Sequence, residues 1–343
     1  MAIQADDGRR TNLELQHVLV TGANGFIGRT LCRRMLAEGW HVRGAIRSLS
    51  QKAALPPGID TVEIGSIGPS TEWDIALEGI DTVVHLAARA HVMGENSVDP
   101  NFDYRKINVD GTKHLAQIAQ SKRVRRFVFV SSIKVNGEGS ADPYTEADQP
   151  APLDPYSISK FEAENELQSM ADKTDLEVVI LRPPLVYGPE VKANFLRLIK
   201  LINRGIPLPL AGVKNHRSMI FIENLVDALF ICATHPRAVG NIFLVSDGID
   251  ISTPELIQKI SSALGKPSRV FALPPGFLRL LGRATGKSGV VSRLCDSLIV
   301  DSTKIRTELD WKPPFSMQEG LRETVRWYQQ AFRQGRLGRQ SDR

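Results

Sequence analysis

Short apolar runs alternate along the first half of the chain with longer stretches whose apolar residues recur at helical spacing. His17-Val18-Leu19-Val20, Trp40 to Ile46, Thr61–Ile64, Thr82–Leu86, Phe127–Val130 and Val178–Leu181 read as strands. Between the first two, Ile27, Leu31, Met35 and Leu36 fall on one stripe, and Gly39 closes that helix. Further helices are expected over Tyr104–Ser121 and Ser157–Ala171. This alternation of strand and helix predicts an α/β fold: a parallel, doubly wound sheet of Rossmann type with helices on both faces.

Past Pro183 the pattern loosens. Pro184, Gly188, Pro189, Gly205, Pro207, Pro209 and Gly212 crowd together, and the elements become short and mixed. The expected division is a disordered leader at 1–15, a dinucleotide-binding domain at 16–184, a smaller substrate-binding lobe at 185–335 and a basic tail at 336–343. Strands near Met219 and Phe243 are expected to rejoin the main sheet. Phe277-Leu278-Arg279-Leu280-Leu281 is amphipathic and is expected to pack against the lobe, with a membrane surface or a partner as the alternative.

Composition narrows the class. Of 343 residues, 42% are hydrophobic and 24% charged, as in an ordinary globular protein. The three cysteines, Cys32, Cys232 and Cys295, are scattered, which suggests neither a disulfide framework nor a zinc site. No apolar run reaches the roughly 18 residues of a membrane span, and the opening residues are polar, so a cytoplasmic protein is expected. The net charge of +5 is densest at Lys122-Arg123-Val124-Arg125-Arg126 and after Arg322. Without interleaved aromatics these clusters read as a solvated face and a tail, not as a nucleic-acid site.

Two stretches carry chemistry. Gly22, Gly25 and Gly28 are spaced Gly-x-x-Gly-x-x-Gly between a strand and a helix. Glycines in that place let the backbone turn tightly and approach a pyrophosphate, whose charge rests on the helix N-terminus. Tyr156 and Lys160 lie four apart on one helical face. An ammonium beside a phenol favours the phenolate, which makes the pair a candidate acid and base at a carbinol or carbonyl. Ser131-Ser132 ends the strand between these two stretches.

Taken together, Thr21-Gly22-x-x-Gly25-x-x-Gly28, His85-Leu86-Ala87-Ala88, Asn108-Val109-Asp110-Gly111-Thr112, Ser131-Ser132, Pro155-Tyr156-x-x-x-Lys160, Arg182-Pro183-x-x-x-Tyr187-Gly188-Pro189 and Asp301-x-x-Lys304 resemble the extended short-chain dehydrogenase/reductases. The branch most alike holds UDP-glucose 4-epimerase-like and 4-ketoreductase enzymes of bacterial surface-polysaccharide synthesis. The resemblance implies Tyr156 as general acid and base. Ser132 binds the sugar O4, and Lys160 holds the nicotinamide ribose and lowers the tyrosine pKa. It implies a cofactor site of Gly22, Gly25, Phe26, Ile27, Gly28, Leu86, Ala87, Ala88, Asn108 and Pro184, completed by Tyr156 and Lys160. Asn194 and Arg217 match positions that bind a UDP moiety. It also implies a homodimer built on the helices Tyr104–Ser121 and Ser157–Ala171, with Leu115, Ile118 and Phe161 at the interface.

Departures from the family pattern shape the expected reaction. Arg47 follows the second strand where NAD enzymes carry an acidic residue, which favours NADP(H), with NAD(H) as the alternative. Ile133-Lys134 stand where the family's 4,6-dehydratases place Asp-Glu, which disfavours dehydration. Leu185 replaces a sugar-contacting asparagine common in the epimerases. The expected function is hydride transfer at C4 of a nucleotide sugar, UDP-linked, as a 4-ketoreductase. The alternatives are a UDP-hexose or UDP-N-acetylhexosamine 4-epimerase with bound NAD and, remotely, a non-catalytic NADP-sensing protein.

Overall fold

The computed structural model describes residues 16–90, 99–140, 142–286 and 288–335. The leader and the tail expected from sequence lie outside these residues. Among the described residues there are nine strands: β1 (His17–Thr21), β2 (His41–Ile46), β3 (Asp60–Glu63), β4 (Thr82–His85), β5 (Arg126–Val130), β6 (Glu177–Arg182), β7 (Leu185–Tyr187), β8 (Met219–Phe221) and β9 (Ile242–Leu244). Seven form one sheet in the order β3-β2-β1-β4-β5-β6-β9, every neighbouring pair parallel. Chain order reverses between β1 and β4, so a crevice opens beyond the carboxyl ends of those two strands.

The helices are α1 (Phe26–Ala37), α2 (Asp74–Leu77), α3 (Pro100–Arg105), α4 (Gly111–Ser121), α5 (Pro155–Ala171), α6 (Ala193–Asn203), α7 (Ile222–Thr234), α8 (Thr253–Ala263), α9 (Pro275–Ala284), α10 (Ser288–Cys295), α11 (Thr303–Glu308) and α12 (Met317–Arg333). The central strands carry apolar residues pointing to both sides, because both sheet faces are covered. Val18, Val20, Val84, Val128, Val130, Val179 and Leu181 pack with α1 and α7. The intervening Leu19, Val83, Phe127, Phe129, Val178 and Ile180 pack with α2, α4 and α5. A separate core joins β7, β8, α6, α8 and α12.

Several expectations change. Phe243 does rejoin the main sheet on β9, but Met219 does not: β8 pairs in parallel with β7 in a two-stranded sheet of its own. The helix expected over Tyr104–Ser121 begins earlier, at Pro100, and passes through one π turn at Lys106–Asp110. Leu115, expected at a subunit interface, is fully buried in the chain's own core, whereas Ile118 and Phe161 are only partly covered. Arg126, read as part of a solvated basic face, is buried. Its guanidinium pairs with Glu177 at 2.7 Å and donates to the Cys232 and His235 carbonyls. In α9, Leu278 packs into the second core, but Phe277 and Leu280 stay exposed.

Candidate active site

The glycine turn follows β1 directly. Gly22 has φ +66°, a left-handed conformation that glycine adopts without strain. A Cβ on Gly28 would lie 2.2 Å from the Gly22 carbonyl oxygen, so that position admits no side chain. Gly25 caps α1 with its backbone alone. No side chain caps the helix, and its first turn holds no acid. Among the described residues the leading N–H groups of Phe26, Ile27 and Gly28 have no side-chain acceptor, which suits them to an anion. Gly22 also meets the segment after β4: a Cβ there would touch Ala87 backbone atoms at 3.1 Å. Leu86 and Ala87 donate their backbone N–H groups to Thr21 Oγ1 at 3.2 Å each. The Thr21 hydroxyl is 2.7 Å from His85 Nδ1, and His85 Nε2 is 2.9 Å from Thr112 Oγ1. Burial pushes the imidazole down to about 3, so it is neutral and serves as a strut. This cradle fits a dinucleotide's diphosphate. Arg47 is exposed just beyond β2, at the same end of the sheet.

The catalytic candidates meet at the ends of β5 and β6. Ser132 follows β5 and caps a short 3-10 turn, accepting the Lys134 N–H at 3.3 Å. The Ile133 N–H donates to the Pro183 carbonyl, which brings the β6 end and the buried Pro184 alongside. α5 starts with a capping box: Ser157 N–H donates to Asp154 Oδ1 at 2.7 Å, and Asp154 N–H donates to Ser157 Oγ at 3.1 Å. Pro155 occupies the first turn, so Tyr156 is presented at a rigid helix start. Its ring meets Tyr104 edge-on, centroids 6.4 Å apart. Lys160 is buried. Its Nζ donates to the Val130 carbonyl at 2.8 Å and sits 4.3 Å from the centroid of the Phe129 ring. That bond ties α5 to β5 two residues before Ser132. Asn108, in the π turn, is buried between two segments: its Oδ1 accepts Arg89 N–H at 2.8 Å, and its Nδ2 reaches Ser159 Oγ at 2.9 Å.

One expectation about this pair reverses. Burial, then the Asp154 carboxylate and Tyr104, push the Tyr156 phenol up to about 12, whereas spacing alone suggested a lowered value. The ammonium of Lys160 is turned to strand β5, and burial pulls it down to about 7, so it is only partly charged at neutral pH. Tyr156 is thus held as a proton donor.

Sequence reasoning missed Asp154, Lys134 and Tyr104. Lys134 Nζ bridges Glu138 at 2.8 Å and Asp154 at 2.5 Å, fastening the Ser132 turn to the cap of α5. Asp154 before Pro155, with Ser157 three residues on, is a helix-start signal readable from sequence. Nothing local announced Tyr104. Asn194 is exposed in the first turn of α6. Arg217 is half-buried just before β8 and donates to the Asp296 carbonyl at 2.9 Å. Both belong to the second lobe.

Comparison with known proteins agrees with this geometry. Over 318 residues the chain is 42% identical to a UDP-glucose 4-epimerase of Vibrio cholerae, spanning 92% of this chain and 96% of that protein. It is 33% identical to a UDP-glucose 4-epimerase of Mycolicibacterium smegmatis, covering 90% of this chain and 97% of the other. Among solved structures, MoeE5 in complex with UDP-glucose and NAD superposes with a TM-score of 0.73 at 26% identity, covering 92% of this chain and 99% of that one. Residues 18–246, from the first residues of β1 to just past β9, match the model of one family. The chain belongs to the NAD dependent epimerase/dehydratase family and is an enzyme of the extended short-chain dehydrogenase/reductase type.

Proposed function

We propose that the protein is a UDP-sugar 4-epimerase that keeps its dinucleotide bound through the catalytic cycle. The observation that carries this reading is the placing of Ser132 and of the start of α5, with Tyr156 and Lys160, at the sheet's carboxyl end, the same end as the glycine cradle. Similarity to the Vibrio cholerae UDP-glucose 4-epimerase across nearly the whole chain supports it. Hydride exchange at C4 is the chemistry that a bound nicotinamide supplies. The chain's own groups handle the proton and the geometry. Tyr156 gives its proton to, and takes it from, the sugar O4, and Ser132 hydrogen-bonds the same oxygen. Lys160 supports the nicotinamide ribose, and Asn108 steadies α5 against the segment after β4. Gly22, Gly25, Phe26, Ile27 and Gly28 would hold the diphosphate of the cofactor, Leu86, Ala87 and Ala88 would line its adenosine side, and Pro184 would complete the site. Asn194 and Arg217 hold the UDP. Purified protein is expected to carry NAD(H) visible by absorbance and to interconvert UDP-glucose and UDP-galactose without added cofactor. Cofactor-free protein that consumes NADPH with a 4-keto sugar overturns this reading.

That second outcome is the reductase reading, and Arg47 is the observation that favours it. A guanidinium near the adenosine ribose binds a 2′-phosphate bidentately, a contact NAD does not offer. Such charge-assisted bonds contribute roughly 1.5–3 kcal/mol each. Arg47→Asp is therefore expected to shift the NADP(H)-to-NAD(H) affinity ratio at least tenfold toward NAD(H), measured by titration of both cofactors. An unchanged ratio removes Arg47 as a determinant, and the reductase reading with it.

The proposal extends to a homodimer through α4 and α5. Phe161 and Ile118 offer partly covered apolar surface there, beside the cross-helix pairs Lys113–Glu166 and Arg105–Glu162. Sedimentation at micromolar concentration is expected to give the mass of two chains, and Phe161→Glu to give one.

A further inference from the structure

We propose that α9 and α10 dock this enzyme onto an anionic phospholipid surface. At about 100° per residue, the exposed and buried positions of α9 fall on separate faces. Leu278 and Gly282 are buried and mark the side that packs on the second lobe. Leu280 stands roughly opposite their mean direction, and Phe277 and Arg283 lie to its two sides. The residue that points most directly away from the body of the protein is thus a leucine, 61% exposed, with a phenylalanine 49% exposed beside it. Phe271 before the helix and Val290 on α10 are also exposed. An ordinary solvated helix puts charge at those positions.

The charge pattern selects the occupant. From Lys266 to Cys295 the sequence holds Lys266, Arg269, Arg279, Arg283, Lys287 and Arg293 and no acidic residue at all. The chain's average would place about three acids in such a stretch. Arg279 and Arg283, with Val291 and Ser292, line a cavity of about 330 Å³ between the two helices. Arg279 is held by Asp296 at 2.9 Å, whereas Arg283 makes no ion pair among the described residues. Apolar side chains flanked by arginines, one of them without an acidic partner, are the pattern of a helix lying in a headgroup layer: the apolar tips enter the acyl boundary, and the arginines stay with phosphates. A protein partner of matching acidity would use the same charge, but it would not need the leucine outermost. Among the described residues no helix is long and apolar enough to cross a membrane, so the contact is peripheral.

The test is co-sedimentation of the full chain with vesicles of phosphatidylcholine alone and of phosphatidylcholine mixed with phosphatidylglycerol. At low salt the protein is expected to pellet with the mixed vesicles, to stay in solution with neutral ones, and to be released as salt is raised. Phe277→Ser with Leu280→Ser is expected to weaken partitioning at least tenfold. Arg283→Gln is expected to weaken it about fivefold. Circular dichroism and melting temperature check that each variant is folded. If the double variant fails that check, Arg283→Gln and the salt dependence of the parent chain decide. Absence of parent binding to the mixed vesicles, equal binding to neutral ones, or variants that bind like the parent would each overturn the proposal. So would a double variant that changes only the sedimenting mass, since the face would then join copies of this chain.

Discussion

Turnover of the Tyr156→Phe variant is expected to fall by at least two orders of magnitude, with cofactor affinity nearly unchanged. The ring keeps its edge-on contact with Tyr104 and its place at the start of α5, so the loss is confined to the hydroxyl. Positioned acid and base groups contribute about 10²–10⁴-fold. The raised pKa sharpens the expectation. A phenol pushed up to about 12 is protonated at every working pH, so it is in the form that can donate to a developing alkoxide. The reverse step, proton removal from a sugar hydroxyl, needs a cation close by. Lys160, one turn along α5, is near half-charged at pH 7 and is a cation mainly on the acid side. Single-turnover measurements separate chemistry from product release. A variant with parental rates would show that another group moves the proton, and the proposed assignment of the site would fail.

Glu164→Gln is expected to destabilise the protein by about 3 kcal/mol or more. Glu164 lies one turn beyond Lys160 on α5, and its carboxylate takes two bonds from the Arg182 guanidinium, with Nε at 3.0 Å. Both side chains are almost wholly buried. The remaining Arg182 donor reaches Asn136 Oδ1 at 2.9 Å, and Asn136 Nδ2 donates to the Thr145 carbonyl at 2.9 Å. Every polar atom in the chain α5–β6–loop is therefore engaged. Amide substitution preserves shape but leaves a buried guanidinium without its counter-charge. Urea unfolding should show a lower midpoint. Replacing both partners, Glu164→Leu with Arg182→Met, should restore much of the loss, because paired apolar groups carry no desolvation penalty. A single variant as stable as the parent would mean the pair is balanced by something other than its partner.

Much of this was legible in the sequence because it rests on periodicity and on glycine. Strands β1, β2, β4, β5 and β6 lie within a residue or two of their apolar runs. The glycine turn sits where a strand passes into a helix. What was not legible depends on long-range packing. β8 has three residues, too few to carry a period, so its partner could not be read. Helical spacing places Lys160 one turn from Tyr156. It does not say that the ammonium turns to the Val130 carbonyl, or that burial raises the phenol. The arginine-rich segment before β5 reads as surface, because nothing local shows that Arg126 meets Glu177 and the end of α7.

The seventh strand has a consequence for synthesis. β9 arrives some sixty residues after β6, and α7, which covers α1 and one sheet face, arrives just before it. Until that stretch has left the ribosome, β6 has a bare edge, and Val130, Val179 and Leu181 face water. A nascent chain in that state offers a sticky margin to its neighbours. Cutting the gene at residue 184, where texture suggests a boundary, would make that transient state permanent. The nucleotide-binding half is therefore not a separable module: its sheet is finished by the half that follows.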